Sequence, residues 1–306
     1  LQGLALGIEY PGGMVYIYEH AKSGQQFPSL LRSSFFSQLG GLIGVASGLL
    51  LSHLFTHAEI IQYAWRLPYA FAFLSGILLF LMRFFAHETP AFIQQSRHQS
   101  SFSYASIVKR FFGGFLGLFL MMIAMEGMVK FISMGNLYFN RYFDIPLKKL
   151  FFISTISFFT TMSFTLLLSF YLSNTKRITA SLVGLSIFLV IGCLGFLLMA
   201  PHSLIFMMVS ICLISCAGTV FNKYVVYLIC QSSETQSRVS MVAFYNNLSV
   251  LFSTLSPLLL LAMVQRLHYP MLVSESFFIL SIVIAWAMIR QCVNLSSSRR
   301  LIVESS

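Results

Sequence analysis

The chain has 306 residues, of which 57% are hydrophobic and only 9% charged, and its formal net charge is +10. Together with a mean hydropathy of +0.82, this composition excludes an ordinary soluble globular domain. The apolar runs are long enough for helices that cross a bilayer, and they lack the polar alternation of barrel strands. The sequence therefore predicts an all-α polytopic membrane protein.

Nine apolar segments predict nine transmembrane helices. They lie at residues 3–19, 35–55, 66–86, 112–135, 148–172, 178–199, 203–228, 240–264 and 271–293. In the first span, we expect Pro11 to break or kink the helix beside Glu9. In the second span, Gly40, Gly44 and Gly48 form a stripe of small residues, which predicts tight packing against another helix.

One polar stretch, residues 88–110, separates three spans from six. We interpret residues 1–87 as the remainder of an N-terminal helical half and residues 88–110 as a central linker. Residues 111–295 would form a six-helix C-terminal half, and residues 296–306 a tail. Because the chain begins at Leu1 inside an apolar segment, without a methionine, we expect an N-terminal part to be missing.

The Lys and Arg residues in the loops, in the tail and at the ends of the spans divide twelve against five between the two sides of the predicted bundle. Such residues accumulate on the cytoplasmic side. We therefore expect the linker and the C-terminus on the cytoplasmic side of the membrane. Basic loops against an anionic leaflet account for the positive charge, so the expected partners are the lipid bilayer and a solute, not a nucleic acid.

Enzyme and metal signatures are missing from the sequence. It contains no nucleophile elbow, no Walker loop and no His-Glu-x-x-His helix, and its five cysteines and seven histidines do not form a ligand set. We expect no enzymatic activity, no cofactor and no bound metal, and a monomeric protein.

Four ionisable residues lie well inside the predicted spans, away from their ends: Glu9, Glu126, Lys130 and Lys223. A charge at the bilayer centre costs roughly 2.5 to 3.5 kcal/mol, so a charge that persists there faces a cavity or a partner. This pattern is typical of a transporter. Glu9 lies in a Gly-rich span, where it is either a structural hydrogen-bond acceptor between helices or a proton or substrate site.

Glu126 and Lys130 are spaced i, i+4 and share a helix face, with the acid first, the better order for an ion pair. They form either a self-neutralised pair or a site. In a site, Lys130 would hold a substrate carboxylate while Glu126 meets a cationic group or takes a proton. Lys223 is interpreted first as an anchor that extends to the interface. The alternative is that it binds an anionic metabolite beside Asn222.

Four groups of residues resemble motifs of one transporter family. They are Leu1-Gln2-Gly3 with Gly7, Glu9-Tyr10, Gly12 and Glu19; Trp65-Arg66-Leu67-Pro68-Tyr69; Glu88-Thr89-Pro90-Ala91-Phe92; and Arg238, Asn247 and Ser256-Pro257. They occur in the order found in the metabolite:proton symporter branch of the major facilitator superfamily, the branch that includes the proline/betaine transporters. The resemblance implies a twelve-helix bundle, of which this chain holds helices 4 to 12.

The resemblance also implies roles for individual residues. Glu126 and Lys130 would lie on a helix that lines the central cavity. Arg238 would anchor a loop and Asn247 would face the cavity, and Tyr245 and Asn246 are near enough to share that role. The structural motif positions would be Gln2, Gly3, Gly7, Trp65, Arg66, Pro68, Glu88, Thr89, Pro90, Arg238 and Pro257.

The sequence thus predicts a secondary transporter that works by alternating access. We expect proton-coupled symport of a small polar metabolite, either a zwitterion such as proline or betaine, or an organic acid. One alternative is a truncated or degenerate carrier without transport activity, since the loop at residues 173–177 lacks the acid and the glycine of the family's motif. Another is proton-coupled efflux. The lack of proline between Arg32 and Trp65 favours symport over that form of export.

Overall fold

The computed structural model describes residues 2–85, 116–134, 139–140, 142, 144–172, 175–197, 204–267, 273 and 275–287. Throughout these ranges the regular secondary structure is helical, which confirms the all-α prediction for the described part of the chain.

In chain order the helices are α1 (Gln2–His20), α2 (Gln26–Leu54), α3 (His57–Glu59), α4 (Arg66–Arg83), α5 (Leu116–Met134), α6 (Leu147–Tyr171), α7 (Thr175–Leu197), α8 (Leu204–Ser232), α9 (Thr235–Leu267) and α10 (Glu275–Ala287). A π-helical turn, Ile60–Ala64, joins α3 to α4.

Five segments of the described ranges are long and apolar enough to cross a membrane. They are Gln26–Leu54, Ile60–Met82, Lys148–Tyr171, Leu204–Ser232 and Thr235–Leu267. Two further apolar helices, Ser181–Gly195 and Glu275–Ala287, are shorter. These segments support a polytopic membrane protein, while the total of nine spans stays a prediction.

Helix α2 begins well before the predicted span at residue 35, because its first turns are amphipathic. Phe27, Leu30, Leu31 and Ser34 recur at i, i+3, i+4 and i+7, and all are buried. Arg32 lies on the exposed side of the same turns. Hydropathy averaged over a long window of sequence misses such a start, because the polar residues of the exposed face lower the average.

Pro11 does not break α1, which continues as one α-helix from Gln2 to His20. A proline removes a single backbone N–H donor, and the turns on either side of it keep their own hydrogen bonds. Tyr10 and Glu19 therefore lie on one continuous helix, and Pro11 itself is buried.

Helix α8 forms the centre of the bundle and packs against α1, α2, α5, α6, α7 and α9. Its buried residues surround its axis, from Met207 to Cys230. A helix that is apolar on all sides is typical of an inner position. By contrast, no described side chain of α4 is buried, so α4 directs its apolar residues outward.

The glycine stripe of α2 does not pack as predicted. Gly40, Gly44 and Gly48 are exposed, and no described atom would meet a Cβ added to them within 4 Å. The contact falls on Gly41, where an added Cβ would lie 2.5 Å from Cε1 of Phe158 on α6. The helix is rotated so that the neighbouring glycine, rather than the stripe, faces α6.

Candidate functional site

A cavity of about 170 Å³ lies between α1, α2, α5 and α8. Its lining is Tyr10 from α1; Ser34, Ser37 and Gln38 from α2; Met122, Met125, Glu126 and Val129 from α5; and Gly218, Thr219, Phe221, Asn222 and Lys223 from α8. One acidic, one basic and several neutral polar side chains thus meet inside an otherwise apolar bundle. Polar groups converging in an apolar pocket are typical of a ligand site.

A directed chain of hydrogen bonds crosses this cavity. Lys223 Nζ donates to Tyr10 Oη at 2.9 Å, and Tyr10 Oη donates to Asn222 Oδ1 at 3.4 Å. The amide nitrogen of Asn222 then donates to Glu126 Oε1. The chain connects an ammonium to a carboxylate through two neutral groups, and through Tyr10 it joins α1 to α5 and α8.

Lys223 is buried, with only 3% of its surface exposed. Its ammonium lies 3.3 Å from the sulfur of Met14 and 4.9 Å from the centroid of the Tyr10 ring. The favoured expectation of an anchor at the interface is therefore wrong, because the side chain points into the bundle. A cation over an aromatic ring and attraction to Glu126 offset part of the cost of its burial.

Lys130 extends from α5 to α9. Its ammonium donates to the Val250 carbonyl at 3.1 Å, to Ser253 Oγ at 2.8 Å and to Thr254 Oγ1 at 3.0 Å. Lys130 and Glu126 also attract each other electrostatically. The lysine thus ties two helices together, and it is not among the residues that line the cavity.

The other candidates lie along the contact between α1 and α9, or beside it. Asn247 Nδ2 donates to the Gly7 carbonyl at 2.9 Å, and Asn246 Nδ2 donates to Asn247 Oδ1 at 3.4 Å. The Tyr245 ring packs edge-on against Phe119, with centroids 5.8 Å apart. Glu9 is exposed and does not line the cavity.

The motif residues take different positions. Gln2 and Gly3 lie in the first turn of α1, Pro68 lies in the first turn of α4, and Pro257 lies within α9. The guanidinium of Arg66 lies 5.3 Å from the ring centroid of Trp65. Glu88, Thr89 and Pro90 lie outside the described residues.

A second polar cluster lies at the end of α1. Arg238 donates to Glu19 Oε1 at 2.7 Å, with side-chain exposures of 13% and 5%. The same guanidinium donates to the carbonyls of Cys230 and Ser233 and lies 5.1 Å from the ring centroid of Tyr18. Arg238 thus fastens α1 to the end of α8 and the start of α9.

Sequence reasoning missed several lining residues, namely Ser34, Ser37, Gln38 and Thr219, and it treated Tyr10 only as part of a motif. Gln38 Nε2 donates to Thr219 Oγ1 at 3.1 Å, which joins α2 to α8. The Ser34 hydroxyl is fully buried and has no hydrogen-bond partner in the described structure. Small neutral polar residues such as serine and threonine are common in apolar helices, so they do not indicate a cavity. Among the missed residues, only the glutamine Gln38 could have suggested one from the sequence.

Comparison with known proteins identifies the family. The profile of the Major Facilitator Superfamily matches residues 1–257. The chain is 29% identical over 93 residues to the proline/betaine transporter of Escherichia coli K12, which covers 30% of this chain and 19% of that protein. It is 37% identical over 95 residues to the inner membrane metabolite transport protein YhjE of the same organism, 30% of this chain and 21% of that protein.

Each of these matches therefore spans about a fifth of the relative's own length. The family profile, however, covers well over half of this chain and confirms the resemblance seen in the motifs. With its apolar helices, the chain is an integral membrane protein that belongs to the major facilitator superfamily.

Proposed function

We propose that this chain is a secondary active transporter that carries a small polar metabolite together with a proton by alternating access. The observation that carries the proposal is the position of Glu126, a carboxyl group inside a cavity of a membrane protein. Intramembrane acids that face a cavity are typical of proton relays and substrate pathways. Two relatives, a proline/betaine transporter and a metabolite transport protein, support the same function.

The composition of the cavity supports alternating access. Tyr10, Ser34 and Gln38 precede the predicted linker, whereas Glu126 and Asn222 follow it. A site between two helical halves becomes accessible from either side when one half rocks against the other. Residues that precede the linker and residues that follow it would then bind the solute jointly, and movement of the two halves would release it.

The hydrogen-bond chain supports Glu126 as the proton carrier. As a carboxylate, Glu126 accepts from Asn222, which in turn accepts from Tyr10 on α1. A proton on Glu126 removes its negative charge and makes the carboxyl group a donor. Protonation therefore alters the chain that joins α1 to α5, which is a physical route from proton binding to helix movement.

The proposed location is a bacterial inner membrane, crossed several times, with the C-terminus in the cytoplasm. The distribution of Lys and Arg supports this orientation. The name of the relative YhjE supports the choice of membrane.

Uptake by proteoliposomes tests the proposal. Purified protein would be reconstituted and given an inward proton gradient with labelled amino acids, betaines and organic acids. We expect one class to accumulate, and collapse of the gradient with a protonophore should abolish the accumulation. Folded protein that accumulates none of these solutes would refute symport, and accumulation only under a reversed gradient would indicate efflux.

A further inference from the structure

We infer that the cavity binds a small monoanion, with a carboxylate group of the solute on Lys223 and Glu126 as the coupled acid beside it. This inference rests on the proposed transport function and specifies its substrate class. The alternative class is a zwitterion, whose amino group would bind Glu126. The two classes differ in the charge they require from the cavity, because a zwitterion needs Glu126 for its amino group and a monoanion does not.

Three cations of the described structure that contact neighbouring helices differ in what their N–H groups already bind. Lys130 has an acceptor for each of its three N–H groups, and Arg238 donates to one carboxylate and two carbonyls. Among the described residues, Lys223 donates only to a phenol oxygen and a thioether sulfur, both neutral. Because an ammonium carries three donors, Lys223 has one left for a ligand in the cavity.

The charges around Glu126 favour an anion. Both Lys130 and Lys223 attract the Glu126 carboxylate, which also accepts from Asn222. Among the described cavity-lining residues, Glu126 is the only acid and Lys223 is the only base. When Glu126 takes up a proton, the positive charge of Lys223 is left unbalanced within this lining, and a monoanion balances it. The amino group of a zwitterion would instead compete with two lysines for Glu126.

Neutral groups beside Lys223 suit a carboxylate. The Ser34 hydroxyl is buried, has no partner in the described part of the chain, and lines the same cavity as Lys223. Ser37 and the amide of Gln38 lie on the same helix face and also line it. Hydroxyl and amide groups donate readily to carboxylate oxygens, and such charge-assisted hydrogen bonds are the stronger kind.

This arrangement links proton and anion binding. While Glu126 is ionised, it competes with the solute for the positive charge of Lys223. Protonation of Glu126 removes that competitor, so the anion binds more tightly. By reciprocity, the bound anion then strengthens proton binding by the same factor. The pair would cross the membrane as a neutral unit.

Binding to the purified full chain tests the inference. Isothermal titration would use matched sets of similar shape but different charge: propionate, alanine and alaninamide; isovalerate, valine and valinamide; and cyclopentanecarboxylate, proline and prolinamide. The variants are Lys223→Gln, Lys223→Arg and, as a matched control, Lys149→Gln at an exposed lysine on α6. Circular dichroism would confirm that each variant is folded.

We expect the native chain to bind the best anion at least tenfold more tightly than its zwitterionic counterpart. Lys223→Gln should weaken that binding about tenfold or more, since it removes a charge-assisted contact. Lys223→Arg should retain the preference for anions, and Lys149→Gln should match the native chain.

Tighter binding of the zwitterions, binding of none of the compounds by folded protein, or an unchanged preference in Lys223→Gln would each overturn the inference. Proteoliposome uptake separates this failure from failure of the transport proposal. Accumulation of zwitterions alone would overturn the anion site and leave transport standing. Anion binding without any accumulation would support the site and refute transport.

Discussion

Replacing Glu19 with Gln should destabilise the protein, because this acid forms a buried ion pair with Arg238. Glutamine retains an acceptor oxygen but loses the charge. Breaking a buried pair costs about 3 to 5 kcal/mol when a charge is left uncompensated. Arg238 keeps two carbonyl acceptors and its aromatic neighbour Tyr18. We therefore expect a smaller loss for Glu19→Gln, about 2 kcal/mol.

Arg238→Met should cost more than Glu19→Gln, about 3 to 5 kcal/mol, since it also removes the two hydrogen bonds to carbonyls at the end of α8. The double variant should lose less than the sum of the two single losses, and the coupling energy should be about 1.5 to 3 kcal/mol. Glu234→Gln makes the same chemical change at an exposed acid nearby. It should cost under about 1 kcal/mol, mainly through the helix dipole.

The assay is equilibrium unfolding in mild detergent with increasing amounts of SDS, followed by circular dichroism. Glu19 follows Tyr10 by nine residues, about 14 Å along α1, so the change leaves the cavity lining intact. A coupling energy below about 0.5 kcal/mol would refute the conclusion that this pair fastens α1 to α8 and α9.

Gly41→Ala should destabilise by about 1 to 3 kcal/mol, because the added Cβ would lie 2.5 Å from the Phe158 ring. Gly44→Ala, on the open side of the same helix, should instead gain roughly 0.5 to 1 kcal/mol in thermal unfolding, and equal effects of the two changes would contradict the observed rotation of α2. Glu59 accepts hydrogen bonds from the backbone N–H and the hydroxyl of Thr56, and these bonds lower its pKa below the ordinary value of 4.5. The stability that ionised Glu59 contributes is therefore fully present above pH 4.5, and it is lost as the pH falls through the lowered pKa. An NMR titration should show this midpoint, and Thr56→Ala should move it only part of the way back, because the backbone donor remains.

Charge within apolar sequence predicted the cavity only in part, since Glu126 and Lys223 line it and Glu9 and Lys130 do not. Glu126 and Lys223 stood out because a bilayer penalises charge, and Asn222 was noticed as the neighbour of Lys223. All three line the same cavity. Glu9 stood out for the same reason but lies on an exposed face. Charge indicates that a residue needs a favourable environment, without indicating which one.

What the sequence could not provide is the rotation of each helix and its partner. Lys130 shares a face with Glu126 along the chain, yet its ammonium reaches acceptors on α9 that lie 120 or more residues away. Gly41 and Gly44 differ by three positions, yet an added Cβ would meet α6 at Gly41 and no described atom within 4 Å at Gly44. The rotation and the partner of a helix depend on packing among segments that are distant in the sequence. The local periodicity of the sequence contains no information about that packing.

The most direct test of the central claim compares Glu126→Gln with the native chain in proton-driven uptake by proteoliposomes. Glutamine keeps an oxygen that can accept from Asn222 but cannot carry the proton. We predict that Glu126→Gln abolishes accumulation against a gradient and leaves solute exchange partly intact. Unchanged accumulation in Glu126→Gln, and in the double variant with Lys130→Met, would show that Glu126 does not carry the proton and that the pair is purely structural.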